Sequence, residues 1–310
     1  MSDPSAADPG PDQNAPIPPQ GRFLVSLRRL IHTDLPPHDF IEGGSVVDLR
    51  SFLQLALREA ITFVDNIPQT FRNHKIYDKR RPLPNVYCRL HTIKHDVKKK
   101  SLKESWFARE MVHPNRRENG MAHIDEFDTL LRQQHSKNEV SYAKSVVAAN
   151  EVLSWDDDIA AIATGDSLGE YREVSMRIYE MVHTSRTLLV ENRVFPVLVI
   201  TAKTPPNGFV VVQIPLDLKG RVLGDRLLFV SGRNKRVGPT NMTRRKCIQG
   251  KYVSVERVTV QDEDVRWEMA TAGGAQGWLH VDLQKLFTPP SIAKDVWRFL
   301  RWVQSGRSSS

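Results

Sequence analysis

In the run KYVSVERVTV a single carboxylate stands among mostly apolar side chains. Side chains of a strand alternate between two faces, so Glu256 shares its face with Tyr252, Ser254 and Val258. If that face points inward, the carboxylate needs an arginine or a polar ligand beside it, because burying an unpaired charge is costly. Arg193 is a candidate partner. Two roles stay open for Glu256: an internal ion pair, or contact with a ligand.

A second set of residues has the large apolar side chains that line small-molecule pockets. In VRWEMAT, Trp267 and Met269 alternate with other residues, and Trp278 follows shortly after. In MRIYEMVH, Met176 and Ile178 alternate in the same way. All five are candidate ligand-binding residues. The same spacing suits a closed apolar core, so that interpretation stays open beside the first.

Common motifs for catalysis, metals and cofactors are missing from the sequence. It has no GxSxG nucleophile motif, no Walker loop and no GxGxxG, which argues against a nucleotide cofactor. His91 and His95 lie four residues apart without an HExxH signature, so we expect surface histidines and no metal. His183 lies in a strand-like run and is expected to be structural. Cys88 and Cys247 are far apart and are expected to be ordinary thiols.

Length and composition are those of a globular protein. The chain has 310 residues, of which 40% are hydrophobic. The first 20 residues contain six prolines and almost no large apolar side chains, so we expect a disordered tail there. One domain is expected over residues 21–303, with a flexible tail at 304–310. No apolar run approaches the roughly 20 residues of a membrane-spanning helix and no signal peptide is evident, so we expect a cytoplasmic protein.

The formal net charge of +8 is concentrated in two basic runs, one over residues 95–103 and one over residues 233–246. Charge runs are usually solvated loops, and this is the simpler interpretation. The alternative is peripheral contact with an anionic membrane. Nucleic acid is not an expected partner, because base-stacking aromatic residues are sparse in both runs.

Hydrophobic spacing predicts a mixed α and β protein. Apolar residues three and four apart predict helices over residues 48–64, with Asp48 as N-cap, and over residues 123–134. Strands are predicted at residues 85–93 and near Trp106, and five further runs between Tyr171 and Thr271 predict an antiparallel meander. Residues 139–155 have both helical and strand character, and their structure stays open.

After the last predicted strand, Gly273 and Gly274 are expected to break the pleat and act as a hinge. The apolar residues that follow predict a helix broken at Pro289 and Pro290, with Ser291 capping its second part. The apolar face of this terminal helix must lie against the sheet.

An early helix, a long antiparallel sheet and a terminal helix resemble the helix-grip α+β fold of the START and Bet v 1-like (SRPBCC) superfamily. The words MRIYEMVH, ENRVFPVLVITA, GFVVVQIP, YVSVERV, RWEMATAGG and IAKDVWRFLRWV are similar to the fungal, START-like family of domain of unknown function 3074, over roughly Trp106 to Val303. Two departures stand out. Arg193 is followed by Val194 and Phe195 where START-like sequences often have Arg-Asp-Phe, and AGGAQG lacks the Asp of the relatives' Ser-Asp-Ala-Gly-Gly.

The resemblance implies a cavity between the sheet and the terminal helix that receives an apolar molecule. The function we expect is therefore non-enzymatic binding of a hydrophobic small molecule or lipid such as a sterol, with intracellular transfer of that ligand as an additional role. The alternative is a cyclase-like enzyme acting on an apolar, polyketide-type substrate in the same cavity, since START-like folds host both. An acid and a base within reach of one bound molecule would favour the enzyme.

Overall fold

One sheet organises the part of the chain that the computed structural model describes, namely residues 23–41, 46–78, 82–97, 100–163, 168–184, 191–218, 223–274 and 288–308. Over these residues the sheet has ten strands. They are β1 (Arg72–Tyr77), β2 (Val86–Val97), β3 (Lys100–Pro114), β4 (Val146–Ser154), β5 (Arg172–His183), β6 (Asn192–Thr204), β7 (Gly208–Pro215), β8 (Cys247–Gln249), β9 (Lys251–Gln261) and β10 (Asp264–Gly274). Nine strands lie side by side in the order β1-β2-β3-β10-β9-β7-β6-β5-β4.

Two longer helices and several short ones flank the sheet. They are α1 (Leu49–Asp65), α2 (Ile67–Thr70), α3 (Ile124–Phe127), a π-helix (Asp128–Gln133), α4 (His135–Tyr142), α5 (Asp156–Ile162), α6 (Asn234–Val237) and α7 (Pro289–Arg307), with 3₁₀ turns at His32–Asp34 and Gly224–Arg226. α1 begins where predicted, because the Asp48 carboxylate accepts a hydrogen bond from the Ser51 backbone N–H at 2.8 Å.

The predicted meander is confirmed. β5, β6, β7, β9 and β10 are neighbours in this order, and every pair is antiparallel. β8 is an addition that the sequence did not reveal, and it pairs parallel with the start of β6. The segment left open at residues 139–155 contains both structures in succession, since α4 ends at Tyr142 and β4 begins at Val146.

The alternation of side chains gives the sheet two buried faces. One face packs against α1, and we call it the α1 face; its core residues include Met176, Ile178, Leu198, Ile200, Val210, Val212, Val253, Val255, Ala270 and Ala272. The other packs against α7, α4 and the π-helix, and we call it the α7 face; its core residues include Tyr179, Met181, Phe195, Val197, Phe209, Val211, Tyr252, Val258 and Trp267.

The end of the chain differs from the sequence prediction in three ways. Gly273 and Gly274 do not break the pleat: they continue β10 and pair with Tyr252 and Lys251 of β9. α7 begins at Pro289 with Thr288 as its N-cap, since a proline suits the first helical turn, where its missing N–H is not needed. The helix also continues beyond residue 303, and the Arg307 guanidinium anchors its end on the Glu126 carboxylate at 2.6 Å.

The predicted tail at residues 1–20 and the first part of the predicted terminal helix, with Trp278, lie outside the described residues. Of the helices in the described ranges, none combines the length and the apolar character needed to cross a membrane.

Candidate ligand-binding site

Glu256 lies in the middle of β9 and points to the α7 face, together with Tyr252, Ser254 and Val258. It is 6% exposed. A carboxylate at this depth requires compensation, and the structure provides it from two other strands.

The partner of Glu256 is Arg109 of β3, not Arg193. Arg109 Nη2 donates to Glu256 Oε1 at 2.6 Å, and Trp267 Nε1 donates to the same oxygen at 2.7 Å. The guanidinium also lies over the Trp267 ring, 4.0 Å from its centroid. The reason is the strand order, because Met269 of β10 pairs with Glu256 on one side and with Arg109 on the other. Arg193 instead lies on β6, paired with His183.

Helix α4 adds three more titratable side chains to this face. His135, Glu139 and Tyr142 are spaced by four and three residues, which places them on one side of a helix. His135 Nδ1 lies 2.9 Å from the Leu131 carbonyl oxygen and 3.9 Å from Glu256 Oε2, and its Nε2 lies 3.9 Å from Glu139 Oε2. The sequence does not single out these three residues, because residues 139–155 have both helical and strand character, although spacings of four and three are typical of one helix face.

The surroundings decide which of these groups carries a proton. Burial, followed by the charges of Glu256 and Asp295, raises the pKa of Glu139 to about 8. Burial lowers the pKa of His135, against the pull of Glu256. At neutral pH Glu139 is therefore a carboxylic acid and His135 is a neutral imidazole.

Asp295 of α7 completes the cluster from the opposite side. Its carboxylate accepts a hydrogen bond from Arg298 Nη1 at 2.7 Å, yet burial raises its pKa above the ordinary value. Although both lie deep in the protein, the side chain of Asp295 is 31% exposed and that of Glu139 is 20% exposed. Neither carboxylate is fully closed off by the side chains around it.

The sequence-predicted site residues fall into three groups according to their position: those on the α7 face, those on the α1 face, and one outside the described residues. Tyr252, Glu256, Trp267 and Met269 lie together on the α7 face, and Met269 is half-buried there between Arg109 and Glu256. Arg193 belongs to the same face but lies toward its far end, beside His183. Met176 and Ile178 are not brought to this site, since both are buried on the α1 face. The third group is Trp278, which lies outside the described residues.

Several buried polar atoms of the cluster have no hydrogen-bond partner among the described residues. They include Arg109 Nε and Nη1 and Glu139 Oε2. Buried polar groups are nearly always paired in folded proteins, so unpaired ones in a group mark a place where water or a ligand is expected.

Comparison with known proteins gives a family and a fold. The model of the family described as "Protein of unknown function (DUF3074)" matches residues 106–303. The structure is similar to that of human StAR-related lipid transfer protein 5, with 8% identity, a TM-score of 0.53, and coverage of 84% of this chain and 98% of that one. No curated protein sequence matches the chain significantly.

Two further human structures show weaker similarity. The StarD13 (DLC2) lipid transfer and protein localization domain matches with 12% identity and a TM-score of 0.42, over 80% of this chain and 96% of that one. STARD10 matches with 9% identity and a TM-score of 0.42, over 87% of each chain. The long sheet with its N-terminal and C-terminal helices is thus the START helix-grip fold, shown by the first of these similarities.

Proposed function

The chain belongs to the DUF3074 family of proteins of unknown function, and on this premise we propose that it binds a hydrophobic ligand between the sheet and α7. The observation that carries this proposal is the accessible surface of Glu139, Asp295 and Met269, three side chains that lie deep between the two layers. A core without a ligand site packs such positions closed.

The composition of the walls supports a small-molecule site. Apolar side chains predominate on the α7 face, among them Trp267, Met269 and Phe107, and a few polar groups converge around Glu256. This combination of apolar walls with few, placed polar groups is typical of ligand pockets. The human protein of similar fold is called a lipid transfer protein, and a lipid is accordingly the ligand class we propose here.

Titration with an environment-sensitive apolar fluorophore tests the proposal. Met269→Trp should fill the space and weaken binding at least about tenfold, because it adds bulk where the ligand lies. Val112→Trp is the matched control, since Val112 is 41% exposed and points away from α7. Undiminished fluorophore binding by a well-folded Met269→Trp variant would refute the site. Independently of the titration, native mass spectrometry of the protein purified from its own host identifies any ligand that co-purifies with it.

A second candidate function is an enzyme that acts on an apolar substrate in the same space. The observation that favours it is the pair of Glu139, an acid at neutral pH, and His135, a neutral base, whose facing atoms lie 3.9 Å apart. Incubating the co-purified ligand with fresh protein tests it: a change in ligand mass with the native protein, lost in Glu139→Gln, supports an enzyme. An unchanged ligand supports the binder.

We also propose that residues 233–246, the basic knob, contact an anionic membrane. This segment contains six lysines and arginines and no acidic residue. The segment has a defined conformation, because the buried Asn234 side chain donates hydrogen bonds to the carbonyls of Thr243 and Arg245 at 2.7 and 2.9 Å. The knob presents Lys235, Arg236 and Val237 to solvent, and Val237 is 62% exposed. Exposed cations beside an exposed aliphatic residue suit a lipid headgroup layer.

Vesicle binding tests the basic knob. Lys235→Gln/Arg236→Gln should weaken binding to phosphatidylserine-containing vesicles roughly 30-fold, from about 1 kcal/mol for each cation near the surface. Arg50→Gln/Lys294→Gln removes two exposed cations elsewhere and serves as the control. An equal loss in both variants would mean that net charge, not the knob, drives binding. Side chains of the other basic run, residues 95–103, lie outside the described residues.

A further inference from the structure

Resting on the proposed function, we propose that the polar end of the ligand is an uncharged oxygen, a hydroxyl or carbonyl group, held by the cluster of Arg109, Glu139 and Glu256. This excludes ligands that place a carboxylate, a phosphate or an amine at this point. The inference depends on which charges and which hydrogen-bonding atoms of the cluster are already used.

The charges of the cluster are already matched. Arg109 holds Glu256 at 2.6 Å, and Arg298 holds Asp295 at 2.7 Å. An anionic ligand end would therefore find the charges of both guanidinium groups already balanced, and it would lie close to two carboxylates. Since an ion removed from water needs a counter-charge, an anion is disfavoured here.

The hydrogen-bonding atoms left over are mainly donors. Among the described residues, no acceptor reaches Arg109 Nε or Nη1. An ammonium group has hydrogens to donate and no lone pair to accept, so it leaves these donors unsatisfied. A hydroxyl or carbonyl oxygen accepts up to two hydrogen bonds without bringing a charge. The leftover atoms therefore match a neutral oxygen.

The Glu139 carboxyl supplies a further donor. Five titratable groups face it from three elements: His135 and Tyr142 on α4, Tyr252 and Glu256 on β9, and Asp295 on α7. Burial and the two carboxylates raise its pKa to about 8, so it carries its proton at pH 7. As a neutral acid it donates one hydrogen bond, and its Oε2 has no partner among the described residues.

Competition between four ligands with one alkyl chain tests the inference. A long-chain alkane, alcohol, carboxylate and amine each displace the apolar fluorophore at pH 7. We expect the alcohol to bind at least about tenfold more tightly than the carboxylate and the amine, the usual scale for one satisfied hydrogen bond. If all four bind equally, the inference is overturned and the proposed function stands. If none binds, the proposed function itself fails.

Two substitutions of one residue identify the donor. Glu139→Gln keeps an N–H donor and should keep alcohol affinity within about threefold, whereas Glu139→Leu removes the donor and should lose about tenfold. The native protein should also lose alcohol affinity above pH 8, where Glu139 ionises, and Glu139→Gln should not. Glu263→Leu is the control, since that side chain is 90% exposed on a turn. Equal loss of alcohol binding in Gln and Leu variants that keep the native melting temperature would overturn the assignment.

Discussion

The two faces of the sheet bury side chains of different chemistry. Beneath α1 the sheet residues are almost all aliphatic, and many are fully buried. Beneath α7 the aromatic core is interrupted by buried charged and polar groups, among them Arg109, His135, His183, Glu256 and Gln213. The α1 side also buries two carboxylates, but Glu180 accepts hydrogen bonds from three backbone N–H groups and Glu268 is paired with Arg257. The sheet therefore has a mainly aliphatic core on one side and an aromatic core with a partly unpaired polar cluster on the other.

This difference indicates that the two faces contribute differently to stability and to ligand binding. Burial of apolar surface contributes about 25 cal/mol for each Å² removed from water, so the closely packed aliphatic residues of the α1 face all add to stability. Buried ion pairs contribute little or nothing net, because desolvation offsets their attraction. A protein that keeps such a pair in the α7 face gives up stability there, which is common where a site is held ready for a ligand.

The largest effect is expected from breaking the Arg109–Glu256 pair. Arg109→Met leaves the Glu256 charge buried without a cation, beside the Trp267 N–H and the neutral His135 ring, and should cost about 3–5 kcal/mol of unfolding free energy. Adding Glu256→Met should restore most of this loss. Chemical denaturation of the single and double variants measures both effects.

The control for that prediction lies at the rim of the α1 face. Arg257 binds Glu268 at 2.8 Å and the exposed Asp65 at 2.6 Å, and Glu268 also has Arg266 at 3.4 Å. Arg257→Met should therefore cost less, about 1 kcal/mol, because Glu268 keeps a partner. Equal costs at the two pairs would contradict the contrast between the faces.

The next effect compares two methionines on opposite faces. Met176 is fully buried on the α1 face, so Met176→Ala should cost about 2–5 kcal/mol through a cavity in a packed core. Met269 is half-buried on the α7 face, so Met269→Ala should cost less than about 1 kcal/mol. Denaturation midpoints decide, and a similar cost at both positions would mean that no open space adjoins Met269.

A smaller effect concerns the acid on α4. Glu139 has a raised pKa in the folded protein, about 8 against 4.5, so the folded state binds more protons between these values and loses stability as pH rises through them. Between pH 5 and 7 the loss from this group is on the order of 2 kcal/mol. Glu139→Gln should remove it, and a native pH profile identical to that of the variant would disprove the burial of this acid.

Sequence reasoning was most successful where a single strand or helix decides the outcome. The alternation in KYVSVERVTV places Glu256 with Tyr252 on one face, and the meander follows from turns between apolar runs. α1 and its cap Asp48 follow from spacing alone. Each of these features depends on residues close together in the chain.

Features that depend on distant strands could not be predicted. Arg109 lies 147 residues from Glu256, and only the placement of β3 beside β10 joins them. Met176 and Ile178 were expected at the ligand site, but β5 is buried on both faces over most of its length, so its apolar pattern does not reveal which face meets α7. The glycines at 273 and 274 keep their strand pairing because β9 continues alongside them.

The smallest effect is expected at His183, a second buried polar residue of the α7 face. Its ring packs edge-on against Phe195 at 5.0 Å, and neither ring nitrogen has a partner among the described residues. Burial lowers its pKa to about 4, so between pH 6.5 and 4 the unfolded chain binds more protons and the folded protein loses stability as pH falls.

Replacing His183 with Phe keeps a ring of similar shape and removes two unsatisfied polar atoms. His183→Phe should therefore stabilise the protein by about 1 kcal/mol at pH 7, and by more at pH 5, where the native residue also resists protonation. At a fully buried aliphatic residue of the α1 face, such as Ile178, no such gain is expected, because its side chain has no polar atom to remove. Thermal melts of native protein and variant at both pH values measure the difference. A variant less stable than the native protein at pH 7 would mean that the imidazole is hydrogen-bonded in solution, and that the α7 face is better satisfied than its contrast with the α1 face implies.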